Sequence, residues 1–208
     1  VKINTERQDI CIKAAALTVF AVLFVFALVD IYRFRVCFKA ADKIPHFSDV
    51  VQIRFTVYGF SGDTVSAVFH LYDSSERELA TVERSWNGSS LYIDFVSARF
   101  NGICIYFPRR IYSTHQGFNA LKVYRSGTQL SRYYMNSGEC LLYDFEGARK
   151  SFSRLCRYAL RPDIFGTSQR VGGTAYSSVR SFNLGSCIPG ESYVFTVGSD
   201  DSLVLKKE

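Results

Sequence analysis

Six cysteines and three histidines carry the most versatile chemistry in this 208-residue chain. A thiol beside an imidazole makes a nucleophile and its base. Cysteines and histidines clustered at short spacings hold zinc. The cysteines are Cys11, Cys37, Cys104, Cys140, Cys156 and Cys187, and the histidines are His46, His70 and His115. No two cysteines form a C-x-x-C pair, and no histidine completes a zinc-type spacing, so neither metal nor cofactor is expected. Cys104 or Cys156 with His115 would be a nucleophile and base brought together only by the fold. Other motifs are incomplete. Gly59-Phe60-Ser61-Gly62-Asp63 has an aspartate where a nucleophile elbow needs its last glycine, and Val171-Gly172-Gly173-Thr174 lacks the lysine of a phosphate loop.

Cys104, Cys140, Cys156 and Cys187 are the candidate disulfide cysteines. In an oxidising compartment they allow two bridges in three connectivities. Four buried thiols are an equally weighted expectation, because free cysteine is among the most buried residue types.

Charge is the second resource. The net charge is +6, but residues 109–161 alone carry 10 basic and 3 acidic side chains, net +7. Within them Lys150, Arg154, Arg157 and Arg161 recur at helical spacing and would share one side of a helix. Such a side suits an anionic partner, either anionic lipid or an acidic envelope polymer, at about 1 kcal/mol per cation near a charged surface. The plainer reading is a solvated face, neutralised by residues 40–108 with 5 basic and 8 acidic side chains. Arg109, Arg110, Lys122, Arg125 and Arg132 also interleave with Tyr112, Phe118, Tyr124, Tyr133 and Tyr134. That composition suits a single-stranded nucleic-acid groove. The RNA-binding signature strings are absent, so nucleic acid is not the expected partner.

Some framework must position these groups. A hydrophobic content of 48%, with 15% aromatic and 21% charged residues, excludes disorder. Residues 14–29 form a 16-residue run without a charge, apolar on every side, and residues 10–29 make 20 if Lys13 reaches back to the headgroups. Twenty helical residues cover about 30 Å, the thickness of a hydrocarbon core. The expectation is therefore an uncleaved signal anchor: a tail at 1–13, a single-pass transmembrane helix at 14–29, a juxtamembrane linker at 30–45 and a domain at 46–208 outside the cytoplasm. The membrane is then the first partner.

Residues 50–107 alternate apolar and polar side chains in the period of half-buried strands. Ile53, Phe55 and Val57 are followed by Val65, Ala67, Phe69 and Leu71, then Leu91, Ile93 and Phe95, then Ile103, Ile105 and Phe107. Asn87-Gly88 reads as a tight hairpin turn. Leu141, Phe145, Ala148, Phe152, Leu155 and Ala159 recur at spacings of 4, 3, 4, 3 and 4, which predicts an amphipathic helix over about 140–160. Asn136 with Glu139, or Asp144, would cap it. Residues 166–190 read as a long loop, and 193–205 as a closing hairpin. The expected fold is a single N-terminal transmembrane helix followed by a β-rich (α+β) domain, an antiparallel meander sheet, sandwich or small barrel with one main amphipathic helix. The expected function is that of a membrane-anchored, non-catalytic binding or envelope-assembly module. A membrane-anchored hydrolase with a loop-assembled site is the alternative.

Overall fold

Alternating strands need partners, and a computed structural model shows how they find them. It describes residues 2–42, 50–100, 103–114, 127–144, 147–160, 175–198 and 202–208. The chain divides into two compact units, Val1–Lys39 and Ala40–Glu208.

The first unit is built on helix α1 (Lys2–Ala41). Among the described residues no helix is long and apolar enough to cross a membrane. The uncharged stretch between Lys13 and Asp30 is 16 residues, about 24 Å of helix, against a hydrocarbon core of about 30 Å. Reaching 20 residues would carry Lys13 into that core. The expectations of a transmembrane helix, a signal anchor and a single-pass membrane location are overturned, and the extracytoplasmic placement that depended on them goes too.

The second unit is β-rich and antiparallel. Its first sheet contains β1 (Val50–Ser61), β2 (Thr64–Tyr72), β3 (Glu78–Asn87), β10 (Ser192–Val197) and β11 (Leu203–Lys207), in the order β11-β10-β1-β2-β3. Its second contains β4 (Ser90–Phe100), β5 (Ile103–Thr114), β6 (Thr128–Gln129) and β9 (Ala175–Asn183), in the order β6-β5-β4-β9. The closing hairpin is β10–β11, with Val197 opposite Leu203.

The two sheets meet through aromatic rings. Phe95 of β4 lies 4.8 Å from Phe195 of β10, and Phe182 of β9 meets Phe195 edge-on at 5.0 Å. Phe55 stacks between Phe69 at 5.3 Å and Phe195 at 5.6 Å within the first sheet. Trp86 packs edge-on against Phe69, and its indole N–H donates to Thr128 Oγ1 across the sheets at 3.3 Å. Such aromatic pairs add about 0.5–1.5 kcal/mol each beyond their burial. An irregularity between Val51 and Ile53 turns Gln52 inward, where its amide donates to Tyr106 O at 3.0 Å. The Gln52 Nε2 is satisfied by Tyr106 O and the Tyr143 hydroxyl, while Oε1 is buried without a partner among the described residues.

Asn87-Gly88 does not fold β3 back on β4. It carries the chain from one sheet to the other, so the single meander expected over 50–107 is instead divided between two sheets. The Gly88 N–H donates to Asp63 O, and the next amide, Ser89, donates to Thr114 O. A Cβ at Gly88 would sit 2.7 Å from Ser113 Cβ and 2.9 Å from Thr114 O. Glycine is there for close approach of backbones rather than for a tight hairpin.

The helix predicted over 140–160 is shorter. Residues before it form α2 (Ser131–Tyr134) and a two-stranded hairpin, β7 (Met135–Asn136) and β8 (Glu139–Cys140). Asn136 and Glu139 face each other across that hairpin rather than capping a helix. Ser137 and Gly138, with φ of 46° and 86°, make the turn. Helix α3 then runs Arg149–Ala159 from an Ala148 N-cap without a side-chain cap. The region expected to be a loop over 166–190 contains β9, which pairs with β4 along its whole length.

Candidate functional site

Helix α3 puts opposite chemistry on its two sides. Phe152, Leu155, Cys156 and Ala159 are buried. Phe152 stacks on Tyr143 with ring centres 4.4 Å apart and planes 14° from parallel. The Tyr143 hydroxyl donates to Tyr106 O at 2.7 Å, which ties the ring under the helix to the second sheet. Burial pushes the Tyr143 phenol well above its ordinary value. On the other side Lys150, Arg154 and Arg157 are exposed. At 100° per residue these three fall within an arc of about 60°, spread along about 10 Å of helix. The Arg157 guanidinium lies over the β7–β8 turn, where a Cβ on Gly138 would come within 3.3 Å of its Nη2. Arg161 lies outside the described residues.

Acidic side chains beside the helix engage Arg149 and Arg77. Arg149 Nε donates to Asp144 Oδ1 at 3.0 Å, and Arg77 Nη2 donates to the other oxygen of that carboxylate. Arg77 Nε also donates to Asp73 Oδ2 at 2.9 Å. The Arg149 hydrogen bond, opposed by desolvation and aided by the charges of Arg149 and Arg77, holds the Asp144 carboxyl below its ordinary value. Asp144 therefore ties α3 to the β2–β3 turn. Arg110 is likewise paired inside the second sheet, with Nε 2.7 Å from Asp94 Oδ2. Arg149 is thus paired with Asp144, and Arg110 with Asp94.

Of the basic and aromatic residues interleaved over 109–135, Arg132 and Tyr133 are exposed. Arg110 lies over the Tyr112 ring at 4.6 Å, but both are buried, and so is Tyr134. Phe118, Lys122, Tyr124 and Arg125 lie outside the described residues.

His46 and His115 also lie outside them, and with them the loop-assembled hydrolase site. His70 has neighbours that the sequence reading missed. Its Nδ1 is 3.3 Å from Glu78 Oε1 and 3.0 Å from Thr81 Oγ1, and the Thr81 hydroxyl donates to Glu78. The β2–β3 register places His70 opposite Thr81, a pairing that only strand alignment exposes. Thr81 first, then His70, holds the Glu78 carboxyl below its ordinary value. A catalytic relay uses one ring nitrogen for the nucleophile and the other for the orienting acid. Here both partners meet Nδ1, so the cluster is a surface hydrogen-bond network.

Cys104, Cys140, Cys156 and Cys187 are buried free thiols. Cys140 lies in β8, on which α3 with Cys156 packs, and Cys156 Sγ is 3.9 Å from the Tyr134 hydroxyl. Among the described residues no group of three His, Cys, Asp or Glu side chains could hold a metal ion. A shallow pocket lined by Val51, Arg54, Tyr72 and Glu76 has its guanidinium engaged, since Arg54 Nη2 donates to Glu208 at 2.5 Å. No family model, curated protein or solved structure matches this chain.

Proposed function

We propose that the β-rich unit is a binding module that lays the exposed side of α3 against anionic lipid headgroups. One observation carries this reading. Lys150, Arg154 and Arg157 share one exposed side of a helix whose other side is anchored by Phe152 on Tyr143. The cations stand on the convex outside of a helix, which suits a flat array of negative charges better than an enclosed ligand. Three cations at about 1 kcal/mol each give about 3 kcal/mol before screening, so contact is weak and strongly dependent on salt.

The test is sedimentation of the full chain with anionic and with zwitterionic vesicles at low and high salt. The readout is the difference between the two vesicle types, which cancels any contribution of apolar surface. The expected result is a preference for anionic vesicles that disappears at high salt. Reversing Arg154→Glu with Arg157→Glu should lower that preference about 30-fold or more, from about 2 kcal/mol or more of lost attraction. An equal preference in the reversal variant refutes the reading. Competition by an acidic polymer with no preference for anionic vesicles would replace the lipid surface with a polymer.

A further inference from the structure

Cys104, Cys140, Cys156 and Cys187 leave three disulfide connectivities open in the sequence, and the fold brings two of these thiols together. Cys140 is the second residue of β8, and α3 packs directly on β8. Cys156 lies on the buried side of α3. Both residues are 0% exposed, and the buried Tyr134 hydroxyl is 3.9 Å from Cys156 Sγ. Strand β8 is only two residues long, so its packing against α3 places the buried Cys140 beside the buried side of the helix that carries Cys156. Cys104 is on β5 beside Tyr106, and Cys187 is in the β9–β10 connection.

We propose that Cys140 and Cys156 are a disulfide-forming pair that staples the β7–β8 hairpin to α3 when the chain meets an oxidant such as glutathione disulfide. One thiol loses its proton and attacks a sulfur of the oxidant, expelling one glutathione and leaving a mixed disulfide. The second thiol loses its proton and attacks the protein-side sulfur, expelling the second glutathione. Two electrons pass from the protein to the oxidant, and the two protons end on the two glutathiones. Burial raises the Cys156 thiol well above its ordinary value, so the packed pair is a poor nucleophile. Exchange therefore proceeds when α3 lifts from β8, or before it docks.

The experiment equilibrates the full chain in glutathione buffers of stepped ratio, with and without sub-denaturing urea, followed by alkylation and peptide mapping without reduction. The expected principal cross-link joins Cys140 to Cys156 and forms faster in urea. Closing a loop of about 16 residues in a protein of this size should raise Tm by about 6–12 °C, reversibly with dithiothreitol. C140S and C156S should each abolish both the cross-link and the Tm rise. A principal cross-link through any other cysteine overturns the proposal. So do residues 140 and 156 remaining alkylatable at the most oxidising ratio in both conditions. The peptide map of the wild-type chain decides between these results whether or not the serine variants fold.

Discussion

Replacing Asp94 with alanine should cost the protein about 3–5 kcal/mol, the range for removing one partner of a buried ion pair. Asp94 is 1% exposed at its side chain and Arg110 is 7%, with Arg110 Nε 2.7 Å from Asp94 Oδ2. The other carboxylate oxygen accepts a 2.6 Å hydrogen bond from Ser181. The carboxylate thus joins β4 to both of its neighbours, β5 and β9. At about 4 Å between charge centres and an effective dielectric near 20, the attraction is about 4 kcal/mol, consistent with that range. Alanine leaves the Arg110 charge buried against the Tyr112 ring and Ser181 without its acceptor. Urea unfolding followed by circular dichroism should show a lower midpoint with unchanged m, and thermal unfolding a Tm lower by about 6–20 °C. The double replacement Asp94→Leu with Arg110→Met removes both charges, so it should cost less than the sum of the two single changes by about 1.5–3 kcal/mol. A loss under about 1 kcal/mol for Asp94→Ala, or strictly additive single changes, would refute the view that this pair holds the second sheet together.

Two further outcomes follow from single side chains. Gly88→Ala should destabilise by about 1–3 kcal/mol, because its Cβ would meet Ser113 Cβ at 2.7 Å and the Thr114 carbonyl at 2.9 Å. Gly59→Ala, where a Cβ meets nothing within 4 Å, serves as the control in the same urea titration. Because the folded Asp144 carboxyl titrates below its unfolded value, its stabilisation is present above the ordinary carboxylate range near pH 4 and is lost as pH falls through the lower folded value. Asp144→Asn should therefore be less stable than wild type at neutral pH and should converge with it in acid, as read from urea midpoints across pH. A constant offset between the two curves would show that the ion pairs with Arg149 and Arg77 are not responsible.

Much of this architecture is written in local pattern. The alternation of Ile53, Phe55 and Val57, and of Ala67, Phe69 and Leu71, determines strands with one apolar face, because successive strand side chains point to opposite faces. The spacing of Phe152, Leu155 and Ala159 likewise determines which side of α3 turns inward, leaving Lys150, Arg154 and Arg157 outside. Local pattern also misled. The apolar run over 14–29 is uncharged but too short between Lys13 and Asp30 to reach across a bilayer. Ala175–Asn183, rich in serine, has the composition of a loop until β4 supplies its hydrogen-bonding partner.

Partnership itself was decided only by the tertiary structure. Turn chemistry at Asn87-Gly88 reads the same whether the next strand pairs with β3 or leaves for another sheet. Asp94 reaches Ser181 across 87 positions of sequence. Cys140 lies against the helix that carries Cys156, and His70 meets Thr81 and Glu78, through helix docking and strand register that no single segment contains. The physical reason is that periodicity is set by backbone geometry within a few residues. Register and docking are set by the sum of burial and hydrogen bonding over segments far apart in the chain.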